Sequence, residues 1–317
     1  MTAAALWCIG PEQAEIRAGQ LGEGIEVETL FSAISRGTER LVFEGRVPRS
    51  EVDRMRAPAQ EGEFPFPVKY GYCTVGRVRQ GRLAGQKVFA LHPHQTRYRM
   101  PEAMLSPIPD AVPDARAVLA ANMETALNIL WDSGASAGDR ITVVGAGVVG
   151  ALVAYLAARM PGAEVTLIDR LNGRARLAKA LGCSFAVPDE APQNSDVVIH
   201  ATATAAGLAL ALDCAGQEAT VVEASWFGSS VTEVPLGGAF HSRRLKLLSS
   251  QVGHLPPDRT SRWSFGRRMA KALELLHDPS LDALISGETA FDDLPAQYGR
   301  ILSDPDTLCH RIRYSSN

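Results

Sequence analysis

Hydrophobic and polar positions change rhythm along the 317-residue chain. In the first hundred or so residues, apolar runs are short and broken by Gly and Pro. Residues 25–35 (IEVETLFSAIS) partly alternate, and 68–79 and 86–91 are also strand-like, so this part predicts a compact, mostly β unit. Between those runs, 44–66 is charged and rich in Pro and Gly, which predicts a long loop or short helices.

The texture shifts near Ala117. An alanine-rich stretch with helical spacing covers 117–132. Strand-like runs at 140–144, 164–168, 196–201 and 219–224 then alternate with helical runs at 148–159, 173–181 and 205–215. Strands alternating with helices predict βαβ units and a parallel sheet. Past residue 250 the chain is loop-rich, then amphipathic over 263–277, and it ends in HRIRY. The reading is a first unit at 1–118, an inserted unit at 119–250, and a return at 251–317.

Composition narrows the classes. A net charge of -3 gives no basic face for nucleic acid. No run of eighteen apolar residues suggests a membrane span, and the N-terminus does not read as a signal peptide. The five cysteines are scattered with no CxxC pair, which favours a reducing cytoplasm over a disulfide framework or zinc knuckle.

The chemistry is clearest at Gly145-Ala146-Gly147-Val148-Val149-Gly150, between the strand ITVV and a helix. Gly145 permits a tight turn, Gly147 lets a pyrophosphate approach the backbone, and Gly150 lets helix and strand pack closely. The helix opening at Val148 and Val149 offers its N-terminus to the anion. Asp169, 19 residues after Gly150, ends the next strand and is placed to accept both ribose hydroxyls of NAD. Its charge opposes the 2′-phosphate of NADP, but Arg170 and Arg174 lie close enough to bind one. A glycine-rich turn that has lost its ligand is the bland alternative.

The order of motifs resembles the medium-chain dehydrogenase/reductase superfamily of the zinc alcohol dehydrogenases. It comprises GTE near residue 37, GYxxVGxV at 71–78, GQKVF at 85–89, the ETAL helix, the dinucleotide fingerprint and the C-terminal return. The segment SAISRGTERLVFEGRVP (32–48) is similar to the branch containing bacteriochlorophyllide a dehydrogenases. The resemblance implies an α/β fold, a doubly wound Rossmann sheet inserted in a mostly β GroES-like catalytic domain. It also implies a homodimer formed by sheet pairing between Rossmann domains.

Departures from the family matter more. Where the resemblance implies zinc ligands stand Arg36, Tyr72 and, counting back from Thr125, Ala121 or its neighbour Glu124. The four-cysteine structural zinc lobe has no counterpart. No usual ligand spacing remains, although Cys73, Glu124, His92 or His94 are conceivable members of a rebuilt site.

Without zinc, another positive or hydrogen-bonding group must stabilise a substrate oxygen. Arg36 is the candidate, held near that oxygen by Glu39 or Glu124; an Arg36–Glu39 structural ion pair is the alternative. Tyr72 is the proton donor or acceptor, or else a core tyrosine. Thr38 matches the family's relay hydroxyl, and Thr125 a nicotinamide contact. His94, in the polar run 92–98, is an acid–base or substrate contact, or a structural hydrogen-bonder. His200 reads as a satisfied strand-end histidine. Arg243 and Arg244 read as a surface pair.

The expected function is zinc-independent hydride transfer between NAD(H) and a small alcohol or carbonyl compound. An NADPH-dependent enone or quinone reductase, and a protein that binds the dinucleotide without turnover, are the alternatives.

Overall fold

A computed structural model describes residues 3–315. Its chain divides into two compact units. One holds residues up to Ala121 and from Met269 onward; the other is Asn122–Arg268.

The unit Asn122–Arg268 is built on six parallel strands in the order Ser184–Ala186, Glu164–Ile168, Arg140–Val144, Ser195–His200, Ala215–Glu223, Lys246–Ser249. Ile141, Val143, Leu167, Ile168, Val198, Ile199, Val221 and Val222 are buried, as in a sheet covered on both faces. The chain winds outward from Arg140–Val144 to one edge. It then crosses back to add Ser195–His200 on the other side. The switch point therefore lies between these two strands, where ligands of such sheets bind.

Helix Val148–Ala157 buries every residue from Gly150 to Ala157. The edge strand Lys246–Ser249 was not read from the sequence, because its four residues are too short for a period to register. Residues 251–268 fall in this unit rather than in the return segment. Arg268, buried, donates to Glu124 Oε1 (3.0 Å), Asn128 Oδ1 (2.5 Å) and the Val252 carbonyl (2.5 Å).

The other unit contains two sheets. A four-stranded antiparallel sheet runs Gln13–Gly19, Ala3–Gly10, Val68–Lys69, Glu61–Gly62. A seven-stranded sheet is centred on Ile25–Ile34, flanked by Thr74–Val78 and by the C-terminal strand Cys309–Arg313. The tail HRIRY is thus an interior strand, with Ile312 opposite Ser32.

The N-terminal hairpin and helix Leu294–Ser303 were not anticipated. Ala-rich AAAL carries no strand signal of its own, and the helix follows its cap with Pro295 in the first turn. Segment 44–66 forms two short helical turns, Arg49–Glu51 and Val52–Met55, and the strand Glu61–Gly62. Phe43 meets Tyr298 edge-on at 5.1 Å in a core that includes Ile34, Val42, Leu294 and Ile301.

Candidate functional site

In the parallel-sheet unit, the three fingerprint glycines answer to different neighbours. Gly145 has φ +112°, and a Cβ there would lie 2.8 Å from Thr202 Cγ2 and 2.9 Å from the Ala201 carbonyl. A Cβ on Gly150 would lie 2.0 Å from the Gly145 carbonyl. Both are required by the protein's own packing. Gly147 is different: its φ is -72°, and a Cβ would meet no atom within 4 Å. That open space, at the N-terminus of helix Val148–Ala157, is where an anion can approach the backbone.

Asp169 spans the same turn. Its Oδ2 accepts from the Ala146 N–H (2.9 Å) and its Oδ1 from the Leu171 N–H (2.9 Å). Each oxygen keeps a lone pair for a diol. Arg170 is exposed and Arg174 half-buried. Thr125 is half-buried on helix Ala120–Ser133, next to Glu124. Burial pushes the Glu124 carboxyl above its usual range against the opposing pull of Arg268. These groups suit a dinucleotide: an open cradle, an anion-binding helix end and an anchored acid.

In the other unit, Tyr72 Oη lies 2.5 Å from Ser35 Oγ and 3.1 Å from Thr38 Oγ1. Burial holds the Tyr72 phenol well above its usual range, so it keeps its proton and acts as a donor. Helix Arg36–Phe43 turns Glu39 inward. Its carboxyl accepts from the Ser35 N–H (2.7 Å), the Tyr298 hydroxyl (2.6 Å) and His94 Nε2 (2.9 Å). His94 Nδ1 faces Ser32 Oγ at 2.8 Å, and Ser32 Oγ faces Tyr314 Oη at 2.9 Å. The run of donors assigns the Nε2–H tautomer to His94.

The polar run His92–Tyr98 is largely interior. His92, His94, Gln95 and Tyr98 are buried because their polar atoms find partners inside the unit. Arg36 Nη1 donates to the Asp304 carbonyl at 2.8 Å. The structure therefore brings Thr38 and Tyr72 together, places His94 behind them on Glu39, and points Arg36 at the return segment. Glu39 was missed as a buried hub, since a GTE run looks solvent-facing; only its i+3 spacing from Arg36 hinted at the inner face.

A catalytic zinc does not fit these residues. Arg36 and Ala121 supply no ligand atom, and the Tyr72 phenol stays protonated. Burial pushes the Cys73 thiol well above its usual range, with nearby Glu39 adding to the shift. His94 has both nitrogens engaged. His92 Nδ1 faces the Pro93 carbonyl at 2.9 Å, and its ring stacks on Tyr98 at 3.9 Å. Among the described residues, no three His, Cys, Asp or Glu side chains gather as a metal site requires.

Solved structures decide the architecture. L-idonate 5-dehydrogenase from Escherichia coli K-12 superposes with a TM-score of 0.79 over 99% of this chain and 98% of its own, at 14% identity. The chain shares the fold of this dehydrogenase. Within that fold, a short chain alcohol dehydrogenase from Escherichia coli CFT073, complexed with NADH, matches with a TM-score of 0.78 over 99% of this chain and 100% of its own, at 16% identity. 2R,3R-butanediol dehydrogenase from Bacillus subtilis also gives 0.78, over 98% of this chain and 99% of its own, at 15% identity. A zinc-type alcohol dehydrogenase-like protein of Haemophilus influenzae is 34% identical over 118 residues, 36% of this chain. That segment spans about a third (34%) of that relative's length. No family profile matches the chain.

Proposed function

We propose that the chain is a zinc-independent oxidoreductase that moves hydride between NAD(H) and an alcohol or carbonyl compound. The observation that carries this reading is the open space at Gly147, set between a helix N-terminus and the anchored carboxylate of Asp169. A bound nicotinamide would supply or accept the hydride. The backbone of Gly147, Val148 and Val149 holds the pyrophosphate, Asp169 the ribose diol, and Thr125 contacts the nicotinamide half.

Tyr72 donates its hydrogen bond to the substrate oxygen, Thr38 shares that bond, and His94 with Glu39 fixes the helix on which Thr38 sits. Arg36 anchors the return segment beside them. The NADH-bound dehydrogenase neighbour supports the cofactor class. An NADP-bound neighbour, at 18% identity, keeps the enone or quinone reductase reading with Arg170 and Arg174 on the 2′-phosphate. Free thiols at all five cysteines agree with a reducing cytoplasm, and among the described residues no helix is long and apolar enough to cross a membrane. The edge strand Lys246–Ser249 is the surface on which a homodimer would pair its sheets.

A second reading, dinucleotide binding without turnover, draws on the engagement of Tyr72 with Ser35 and Thr38 and on the burial of His94. Turnover separates the two. Chelator-dialysed protein is expected to oxidise NADH against a panel of small carbonyl compounds. Tyr72→Phe is expected to lower kcat by roughly a hundredfold with little change in NADH affinity. Turnover that appears only after zinc is added back would refute the metal-free site. Silence across the panel would favour the binding-only reading.

A further inference from the structure

We propose that Glu223, His200, Thr202 and Thr204 form a proton relay at the carboxyl edge of the parallel sheet, through which an alcohol hydroxyl seated there exchanges its proton with a buried imidazole. The inference rests on the dinucleotide reading above for its ligand.

The relay is continuous. Glu223 Oε2 lies 2.6 Å from His200 Nδ1, His200 Nε2 lies 2.6 Å from Thr202 Oγ1, and Thr202 Oγ1 lies 2.8 Å from Thr204 Oγ1. It runs from an imidazole with no exposed surface to a threonine on the exposed loop after strand Ser195–His200. Proton positions follow from the partners. Glu223 Oε1 accepts from the Ser225 N–H (2.8 Å) and hydroxyl (2.7 Å), which leaves Oε2 to accept from Nδ1–H. The Thr204 N–H donates to Thr202 Oγ1 at 3.2 Å. Thr202 therefore turns its own proton toward Nε2.

The surroundings make room for this cluster. A Cβ on Gly207 would lie 2.2 Å from Thr202 Oγ1 and 2.7 Å from His200 Nε2. A Cβ on Gly145 would strike Thr202 Cγ2. Ala203, between the two threonines, has φ +53°, a conformation that L residues seldom adopt. Thr204 also caps helix Ala205–Cys214 through the Gly207 N–H. A cap accounts for that one hydroxyl; it does not account for a buried imidazole paired with a half-buried carboxylate behind it. The loop faces the Gly145 turn across the switch point, where a dinucleotide and its substrate lie.

The Tyr72 cluster lacks such a path. Among the described residues, its hydroxyls reach Glu39 through the Ser35 backbone N–H, which cannot pass a proton on to His94. In the relay every link is a hydroxyl or a ring nitrogen. As a ligand O–H gives its proton to Thr204, Thr204 passes its own to Thr202, and Thr202 passes its own to His200 Nε2. Three O–H bonds break, and two O–H bonds and one N–H bond form. The ligand is left as an alkoxide, and the imidazolium rests on Glu223. Carbonyl reduction runs the same steps in reverse.

The test uses the full chain with isotope-labelled histidine, the His200 ring signals being assigned by their loss in His200→Gln. The neutral ring is expected to carry its proton on Nδ1. Relaxation dispersion at its Cε1 then reads how fast the ring gains and loses a proton. Thr204→Asn keeps an oxygen to cap the helix but has no hydroxyl to pass a proton. It is expected to slow that exchange by roughly a hundredfold, the low end of what a positioned proton-transfer group contributes. NADH added alone separates the two sources of the hydroxyl. Slowed exchange identifies a ribose hydroxyl at Thr204; unchanged exchange leaves Thr204 for the substrate. A neutral ring protonated at Nε2, or exchange indifferent to Thr204→Asn in a variant that still binds NADH, would overturn the relay alone. Failure of the wild-type chain to quench or enhance NADH fluorescence would overturn the dinucleotide reading and the relay's ligand with it.

Discussion

Gly147→Val is expected to leave the protein folded and to abolish dinucleotide binding. The backbone at Gly147 has an ordinary negative φ, and no atom stands where a side chain would grow. Because Gly147 caps the helix, where valine is disfavoured, the stability change should be about 1 kcal/mol. The valine would instead fill the approach to the helix N-terminus, and NADH affinity should fall by more than roughly a hundredfold, as expected when the anion loses its backbone donors. Gly150→Ala gives the contrasting result. Its Cβ meets a backbone carbonyl at 2.0 Å, so helix and strand must separate. That overpacking should cost about 1–3 kcal/mol, and binding should weaken as a consequence of the shifted turn. Urea unfolding alongside NADH fluorescence distinguishes the two variants. Equal destabilisation would show that Gly147 is a packing position and that the cradle is not a ligand site.

Glu39→Ala should be the most destabilising single change in the unit that carries Tyr72. The carboxyl is buried and accepts from three donors, the Ser35 N–H, the Tyr298 hydroxyl and His94 Nε2. Burial and the adjacent Glu39 hold the Tyr298 phenol well above its usual range, so it remains a donor that needs an acceptor. Burial, with Glu39 adding to it, also pushes the Cys8 thiol up to about 12. Removing the carboxyl strands two side chains and one backbone N–H away from water, at a cost of about 3–5 kcal/mol. Glu39→Gln keeps an acceptor oxygen and should lose less. A midpoint shift in urea for the alanine variant that is no larger than for glutamine would show that water enters and satisfies the donors. It would also remove the argument that Glu39 and His94 brace Thr38.

The parallel-sheet unit was legible because its signals are local. The strand ITVV, the glycine run and Asp169 fall within thirty residues, and each obeys a period or a spacing that needs no partner. The first unit was legible only in its middle. Its N-terminal hairpin and C-terminal strand gain their stability from pairing across the whole chain, as Ile312 does opposite Ser32, and such pairing leaves little mark on either segment. The same physics hid the polar core. Glu39, His94 and Tyr298 are widely separated in sequence, and each alone reads as a surface or loop residue. His200 was read as a satisfied strand-end histidine; the strand position was evident, but its partners Glu223 and Thr202 become visible only when the neighbouring strand and loop are in place. Arg36 was singled out by its motif position alone, and its hydrogen bond to a carbonyl 268 residues away leaves no local mark on the sequence.

A fluorescence titration of the chelator-dialysed protein with NADH and, separately, with NADPH tests the dinucleotide site directly. Saturable NADH binding at least roughly tenfold tighter than NADPH binding is expected, because the Asp169 carboxylate accepts a ribose diol and repels a 2′-phosphate. Tighter NADPH binding would contradict the Asp169 assignment and move the phosphate to Arg170 or Arg174. Binding of neither would contradict the claim that the Gly147 cradle holds a dinucleotide.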